Sequence, residues 1–274
     1  TEVHQAIANN VVEFLVGELE AGRIPREFLP LQSGVGNVAN AVLAQIGSDH
    51  RIPNFYMFTE VFQDACVHLM DDGRLLGAST CSLTVSPEML RHIYDNFDRY
   101  ANRIVIRPQA MSNNPELVRR LGVISMNTAL EIDIHGNVNS THVCGSTMMN
   151  GIGGSADFTR NAYISIFTSP STAKDGAISA IVPCVSHSDH NEHSVQVVVT
   201  EHGYADLRGL PPNERPDLII ERCADPQYRP LLREYLAGAR RGHIDIDLAH
   251  CFDFHLRFLE TGTMMPAAQP AAKN

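Results

Sequence analysis

The sequence contains no long run of apolar residues and no excess of basic charge. Its apolar runs all stay below the ~18 residues that a membrane-spanning helix requires. It carries 21 Lys and Arg residues against 31 Asp and Glu residues, which gives a net charge of −10 and a pI of about 5.7. Nucleic-acid-binding domains are usually basic over the binding face. We therefore expect no membrane span and no nucleic-acid partner.

Closely spaced cysteines and a signal peptide are missing as well. The six cysteines are scattered and none forms a CxxC motif, so we expect reduced, mostly buried thiols and a cytoplasmic location. Residues 1–22 lack the basic stretch and continuous apolar core of a signal peptide. Instead Ile7, Val11 and Leu15 follow a helical spacing and predict an amphipathic helix. The chain opens without Met in what resembles mid-domain sequence, so we also expect an amino-terminal portion to be missing.

Common nucleotide-binding and metal-binding motifs are absent too. The glycine-rich stretch GVGNVANAV at 34–42 does not match the dinucleotide-binding GxGxxG, and NGIGGSADF at 150–158 lacks the Lys-Ser/Thr pair of a P-loop. The segment 187–193 fits neither HExxH nor a zinc finger. Its potential ligands are His187, Asp189, His190, Glu192 and His193. We interpret this segment as a polar loop of hydrogen-bonding side chains and predict no bound metal.

Helical and strand-like patterns alternate along the chain, which predicts an α/β fold. Strands are predicted at 29–32, 55–58, 103–106, 163–167, 178–182 and 195–200, and helices at 7–19, 38–46, 61–70, 115–121, 216–223 and 228–239. The last three strands are almost continuously apolar, as expected of strands buried on both faces. His135-Gly136-Asn137 predicts a sharp reversal. We predict one α/β domain at 1–222 and a helical extension at 223–274, disordered from Met264 onward.

The two glycine-rich stretches and an acid between them are the strongest candidates for a site. Glycine lets the backbone approach a ligand closely, and a helix start offers free N–H groups to phosphates or to an oxyanion. A tight structural turn is the alternative at each stretch. Glu60 follows the predicted strand 55–58. It is either a solvated acid at a helix start or a nucleophilic carboxylate that forms a covalent acyl intermediate.

Two further charged residues allow two interpretations each. Glu201 ends a predicted buried strand, where α/β folds often place functional groups; it could instead pair with a nearby arginine. Lys174 lies in a predicted loop, where it is either a solvated surface lysine or a phosphate contact.

Six segments together resemble the acetyl-CoA hydrolase/transferase family, which includes succinyl-CoA:acetate and related carboxylate CoA-transferases. In chain order they are LPLQSGVGNVANAV, FTEVFQD, RPQAMSNNPELVRRLG, ALEIDIHGNVNSTHV, MMNGIGGSADFTRNA and VTEHGYADLRGL. The resemblance implies the NagB/RpiA/CoA-transferase-like fold, an open twisted sheet with flanking helices. The family also carries the histidine-rich loop, which favours its non-metal interpretation.

The resemblance further implies a role for each matching residue. Glu60 corresponds to the catalytic glutamate that forms a glutamyl-CoA thioester, and Asn113 to an asparagine that contacts the carboxylate substrate. Gly154 corresponds to the oxyanion donor, and Glu201 to a second glutamate that orients the first. The implied CoA contacts are Gly34, Val35, Gly36, Asn37, Val38, Asn150, Gly154 and Lys174.

The function implied by the resemblance is CoA transfer between an acyl-CoA and a small carboxylic acid. CoA is then a substrate, and no cofactor is permanently bound. Acyl-CoA hydrolysis through the same glutamate is the alternative within the family. A metal-dependent hydrolase based on the histidine segment and a non-catalytic half-domain are alternatives outside it.

The resemblance also implies partners. Family members usually have two similar halves and are commonly dimers, so this chain would be the second half, complemented by an amino-terminal half-domain and assembled as a homodimer. In a eukaryotic source the implied location is the mitochondrial matrix.

Overall fold

A central β-sheet organises the computed structural model, which describes residues 1–267. The strands are β1 (Leu31–Ser33), β2 (Phe55–Phe58), β3 (Val61–Phe62), β4 (Leu75–Thr80), β5 (Ser82–Leu83), β6 (Ile104–Ile106), β7 (Ile124–Thr128), β8 (Glu131–Asp133), β9 (Val138–Asn139), β10 (His142–Val143), β11 (Thr147–Met148), β12 (Ile164–Thr168), β13 (Thr172–Ala173), β14 (Ile178–Ser179), β15 (Ile181–Val182), β16 (Val197–Thr200) and β17 (Gly203–Asp206). Eight of them form the central sheet, in the order β17-β16-β12-β7-β1-β2-β4-β6.

The sheet is parallel except for its last strand, β17, which runs antiparallel to β16. The chain enters at β1 in the middle, moves outward through β2 and β4 to β6, and then returns to β7 on the other side of β1. The direction of winding therefore reverses between β1 and β7. In open parallel sheets the crevice outside the carboxyl ends of the strands at such a point is the usual place for a ligand.

Helices cover the sheet on both faces. They are α1 (Glu2–Glu20), α2 (Asn37–Ser48), α3 (Asp64–Asp71), α4 (Pro87–Asp95), α5 (Phe97–Tyr100), α6 (Gln109–Ser112), α7 (Pro115–Leu121), α8 (Ser155–Asn161), α9 (Arg215–Cys223), α10 (Arg229–Gly238) and α11 (Asp253–Thr261), with a 3-10 turn at Pro212–Glu214. Helix α1 packs on α2, β16 and β17, while α8 packs on β7 and β12. Within residues 1–267, no helix is long and apolar enough to cross a membrane.

The carboxyl-terminal helices share a hydrophobic core with the sheet. Val198 and Ala205 of the sheet, Ile219 of α9, Leu232 of α10 and Phe254 of α11 belong to one buried cluster. The same cluster contains Met264, which is only 2% exposed. The predicted disordered tail therefore does not begin at Met264, because this side chain fills the core; residues 268–274 of that tail lie outside the described residues.

The predicted α/β class, with a sheet flanked by helices, is confirmed, with two local corrections. The segment 178–182, predicted as one buried strand, divides into β14 and β15, which pair outside the central sheet with β13 and β8. A local bond from Ser179 Oγ to the Ile181 carbonyl, 2.6 Å long, accompanies this break. The helix predicted at 61–70 starts only at Asp64, because Val61 and Phe62 pair with β5.

A buried ion pair joins α1 to the segment after β17 and allows a stability prediction. Glu18 is 1% exposed, Arg208 donates to its two oxygens at 2.8 and 2.9 Å, and Arg23 pairs with it at 2.7 Å. Burial alone would raise the pKa of Glu18, but the two arginines outweigh burial and lower it. The carboxylate therefore stabilises the fold above its ordinary pKa and loses that contribution as the pH falls toward the lowered value.

We expect Arg208→Met to lower the free energy of unfolding by about 3 kcal/mol at neutral pH, because it leaves a buried carboxylate with one cation fewer. The difference from wild type should shrink below a pH of about 4.5, where Glu18 begins to be protonated in the unfolded chain. Urea unfolding at several pH values measures both effects. Arg120→Met, which removes an exposed ion pair with Glu116, is the control and should change little. A loss independent of pH would show that packing, and not charge, carries the effect.

Candidate active site

A cleft of about 500 Å³ lies where the winding of the sheet reverses. Its walls come from the ends of β1 and β7, from the turn after β2 and from the second glycine-rich stretch. The lining residues are Gln32, Ser33, Gly34, Val35, Glu60, Val61, Asn127, Thr128, Ala129, Leu130, Ser140, Asn150, Gly151, Ile152, Gly153, Gly154 and Ser155. The topology thus brings both glycine-rich stretches and Glu60 to one place.

The first glycine-rich stretch connects β1 to α2. Gly36 has φ +111°, a conformation that favours glycine, and it caps α2 without any side-chain hydrogen bond. Gly34 is fixed from both sides, since its N–H donates to the Met126 carbonyl and its carbonyl accepts from Gln63 Nε2, each at 2.9 Å. The first N–H groups of this 12-residue helix therefore stand beside the cleft without a side-chain cap, an arrangement that suits an anion.

The five predicted contacts of this stretch share one location but differ in exposure. Gly34 and Val35 line the cleft, and Val35 is 58% exposed. Gly36 and Asn37 form the start of α2, while Val38 is buried in the core. Val38 therefore does not line the cleft.

Glu60 is held at both its main chain and its carboxylate. Its carbonyl oxygen accepts from Thr80 Oγ1 at 2.8 Å and from the Cys81 N–H at 3.1 Å, which fastens the turn after β2 to the end of β4. Its Oε2 accepts from the Gly154 N–H at 2.8 Å, and its Oε1 lies 3.4 Å from Gln109 Nε2. The carboxylate is thus aimed at the second glycine-rich stretch.

Gly154 leaves no room for a side chain. A Cβ at this position would lie 2.3 Å from Glu60 Oε2 and 2.4 Å from Asn113 Nδ2. Its φ of −81° is ordinary for any residue, so the need for glycine here comes from close approach and not from the backbone angle. Glu60, Gly154 and Asn113, three residues predicted to act together, do meet.

Asn113 is a buried amide without a partner. The residue is 5% exposed, and neither its Oδ1 nor its Nδ2 finds a hydrogen bond among residues 1–267. A buried polar group without a partner costs about 1–3 kcal/mol. Asn113 does not itself line the cleft, but it stands beside Glu60 and Gly154, which do. A ligand that reached it with both a donor and an acceptor would remove this cost.

Cys81 is the nearest thiol to Glu60. Its Sγ lies 3.2 Å from the Glu60 carbonyl oxygen. Burial and the Glu60 carboxylate both raise the pKa of the Cys81 thiol. The thiol is therefore a poorer nucleophile than an ordinary cysteine, because the thiolate is the reactive form.

The histidine-rich segment contacts residues that line the cleft. Asp189 Oδ2 accepts from the Ser140 N–H and from Thr141 Oγ1, both at 2.8 Å. His190 Nε2 lies 3.2 Å from the hydroxyl of Ser155, which follows Gly154. Burial lowers the pKa of His190 to about 4, so this imidazole is neutral at physiological pH. These contacts agree with the predicted loop of hydrogen-bonding side chains; among residues 1–267, no three His, Cys, Asp or Glu side chains are arranged to hold a metal.

Two predicted site residues lie elsewhere. Glu201 follows β16, which β12 and β7 separate from β1, and its carboxylate accepts from the N–H and the hydroxyl of Ser171 at 2.8 and 2.6 Å. Lys174 Nζ lies over the Phe258 ring of α11, 4.9 Å from its centroid. Neither residue lines the cleft, so their predicted roles are not supported by the geometry around Glu60.

The structure also adds residues that the sequence analysis did not single out. Gln109 Nε2 lies 3.4 Å from Glu60 Oε1. Gln109 belongs to the segment RPQAMSNNPELVRRLG, but the sequence assigned it no role. Gln32 and Asn127 exchange two hydrogen bonds of 3.2 Å between their buried amides at the ends of β1 and β7. A polar residue at the end of a predicted strand, such as Gln32, was the available signal.

Comparisons with known proteins show which sequences this chain resembles. The family described as acetyl-CoA hydrolase/transferase C-terminal domain matches residues 90–236. The propanoyl-CoA:succinate CoA transferase of Escherichia coli is 58% identical over 95% of this chain and 53% of its own length. The succinyl-CoA:acetate CoA-transferase of Clostridium kluyveri is 52% identical over 96% and 49%. The acetyl-CoA hydrolase of Schizosaccharomyces pombe is 46% identical over 96% and 52%.

Solved structures share the fold. RipA from Yersinia pestis has a TM-score of 0.71 at 27% identity, over 85% of this chain and 52% of that chain. The 4-hydroxybutyrate CoA-transferase from Porphyromonas gingivalis has a TM-score of 0.66 at 26% identity, over 85% and 55%. The chain spans about half the length of the curated relatives it matches.

Proposed function

This chain belongs to the acetyl-CoA hydrolase/transferase family, and from that premise we propose that it transfers CoA between an acyl-CoA and a small carboxylic acid, with Glu60 as the nucleophile. The observation that carries the proposal is the 2.8 Å hydrogen bond from the Gly154 N–H to Glu60 Oε2. It places a main-chain donor where negative charge would develop whenever the glutamyl carbonyl is attacked. The relatives named as CoA-transferases support the reaction class.

The proposed first half-reaction has two steps. A Glu60 oxygen attacks the thioester carbon and the C–S bond breaks. CoA leaves as a thiolate, and Glu60 is left as an acyl-glutamyl anhydride. The thiolate then attacks the glutamyl carbon, the C–O bond breaks, and the free carboxylate departs from a glutamyl-CoA thioester. A second carboxylate reverses both steps and regenerates Glu60. The Gly154 N–H would stabilise each glutamyl oxyanion, and one such donor is typically worth about 3 kcal/mol.

The other residues of the cleft would bind the two substrates. The start of α2 and Asn150 would contact CoA, whose remote binding energy can hold the reacting atoms together. The unpartnered amide of Asn113 would bind the carboxylate substrate. A complementary segment would complete the cleft; it would correspond to the remaining length of the relatives.

A trapping experiment tests the intermediate. The purified full-length protein is incubated with acetyl-CoA and then treated with borohydride, which reduces a glutamyl thioester to an alcohol. Peptide mapping should locate the mass change at Glu60 and nowhere else. Trapping on another residue would contradict the assignment of the nucleophile, and a full absence of CoA-dependent modification would contradict the covalent route.

Acyl-CoA hydrolysis is the second candidate, favoured by the relatives named acetyl-CoA hydrolase. Here water would attack the glutamyl-CoA thioester, releasing CoA and restoring the Glu60 carboxylate. CoA release is measured with and without an added acceptor acid. Release that does not depend on the acceptor would identify a hydrolase.

Gln109 should contribute to the proposed reaction by orienting Glu60. We expect Gln109→Ala to lower kcat/KM for CoA transfer about tenfold, because Glu60 Oε1 loses the donor that limits its rotation. The melting temperature should not change, since the Gln109 side chain is exposed. Gln5→Ala removes another exposed glutamine, which bonds to Gln45 at 2.7 Å, and should leave both quantities unchanged. Equal losses in the two variants would refute a specific role for Gln109.

A further inference from the structure

A buried acid, Glu131, connects the carboxyl-terminal helix α11 to one wall of the cleft. The side chains of Glu131 and His255 are 9% and 5% exposed, and His255 Nε2 lies 2.8 Å from Glu131 Oε2. His255 Nδ1 has no hydrogen-bond partner among residues 1–267. In that part of the chain the contact with Glu131 is therefore the one side-chain hydrogen bond of this histidine.

The second oxygen of Glu131 is equally well occupied. Its Oε1 accepts from Asn139 Nδ2 at 2.9 Å, from the Ser186 N–H at 2.6 Å and from Ser186 Oγ at 2.7 Å. Burial alone would raise the pKa of Glu131, but His255, Asn139 and Ser186 outweigh it and lower the pKa. These contacts favour the charged form of the carboxylate, which accepts hydrogen bonds from Asn139, Ser186 and His255.

Asn139 connects Glu131 to the residues beside the cleft through hydrogen bonds. Its Oδ1 accepts from the N–H groups of Thr141 and His142 at 3.1 and 2.9 Å. The Thr141 carbonyl in turn accepts from the N–H groups of Met149 and Asn150 at 2.8 and 3.2 Å. These bonds fix the main chain of residues 139–150, which we call the cleft wall.

The cleft wall is continuous with the second glycine-rich stretch, which contains Gly154. Ser140 and Asn150 line the cleft, and Asn150 Nδ2 donates to the Ser140 carbonyl at 3.3 Å. Four residues after Asn150, the Gly154 N–H meets Glu60. A shift of the wall would therefore move the residues that the proposed function assigns to CoA binding.

We propose that Glu131 and His255 are positioning residues for the CoA side of the cleft, so that α11 belongs to the binding machinery although it does not touch the cleft. The inference rests on the proposed function. A wall that is already ordered lets CoA bind without an added ordering cost. Loss of the His255 donor leaves a buried charge undercompensated, and the carboxylate can then no longer hold Asn139 in one orientation.

The test compares His255→Leu, which removes the donor, with His255→Gln, which keeps an N–H group near the position of Nε2. His250 provides a matched control, because it is exposed and pairs with Asp253, three residues away on the surface; His250→Leu should behave as wild type. In full-length protein we expect His255→Leu to raise the KM for acyl-CoA and the dissociation constant for CoA roughly tenfold. The kcat should stay within about twofold, since Glu60 and Gly154 are intact. His255→Gln should recover most of the affinity.

Hydrogen exchange without any ligand separates this inference from the proposed function. Amides of the cleft wall should exchange faster in His255→Leu than in wild type or His250→Leu. Unchanged exchange in the wall, or a lower melting temperature with unchanged KM, would overturn the inference. If wild type itself binds no CoA, the proposed function fails, whereas faster exchange of the wall in His255→Leu would still show that His255 positions it.

Discussion

Glutamine in place of Glu60 is expected to abolish CoA transfer, with a loss of at least about 10⁴-fold in kcat. The amide is nearly the same size as the carboxylate and can still accept the bond from the Gly154 N–H, so the cleft should keep its shape. It has no charged oxygen to attack the thioester, and the covalent route is closed. Acyl-CoA should still bind, so the dissociation constant for CoA should remain within about threefold of wild type.

Aspartate at position 60 gives a graded comparison. It keeps the charge but withdraws the reacting oxygen by one methylene group, and a misplacement on the order of 1 Å can cost about 100-fold. Glu60→Asp should therefore retain more activity than Glu60→Gln. Glu116→Gln changes a surface acid that pairs with Arg120 and should behave as wild type. Near-normal transfer by Glu60→Gln would eliminate Glu60 as the nucleophile.

The position of Glu60 could be predicted because its determinants are local. Strand β2 occupies the predicted residues 55–58. The position of Glu60 just after the end of this strand could therefore be predicted. Parallel strands place their carboxyl ends at one edge of the sheet, and the same edge receives the glycine-rich stretch after β1. The contact with Gly154, 94 positions away in sequence, was implied by the family resemblance, while its geometry required the packing of α8 on β7 and β12.

The contact of Gln109 with Glu60 and the burial of Asn113 could not be derived in this way. Both lie in or beside the short helix α6, and their surroundings come from segments distant in sequence. Glu131 illustrates the same limit, since its partner His255 is 124 positions away on α11, a helix within the predicted helical extension whose own bounds were not predicted. Pairing between a buried acid and a remote histidine leaves no periodic pattern in the sequence.

Strand β4 was missed for a physical reason that the structure makes visible. Its sequence, LLGAST, contains small residues where β-branched ones are typical of strands. A Cβ at Gly77 would lie 3.2 Å from the Arg103 carbonyl and 3.3 Å from the Tyr56 ring, so packing on the neighbouring strands selects glycine. Helix α4, by contrast, carried a readable start signal: Ser86 caps it by accepting from the Met89 N–H at 3.2 Å, and Pro87 follows.

Alanine in place of Gly154 is expected to reduce CoA transfer by at least about 100-fold while leaving the fold intact. The new methyl group would occupy the space within 2.4 Å of Glu60 Oε2 and Asn113 Nδ2. Both atoms lie at the ends of side chains that can rotate away, and φ at this position is −81°, so the backbone accepts alanine without strain. The melting temperature should therefore change little, whereas the carboxylate must leave the Gly154 N–H and turn from the position in which it attacks.

The control for this variant is Gly17→Ala in α1, where a Cβ would meet nothing within 4 Å. It should leave activity at the wild-type level, and helix propensity favours a slight gain in stability. Borohydride trapping adds a second readout, because Gly154→Ala should form the glutamyl-CoA thioester slowly even at saturating acyl-CoA. Unimpaired trapping would show that Glu60 forms the thioester without its contact to the Gly154 N–H. That result would contradict the proposal that this N–H stabilises the oxyanion.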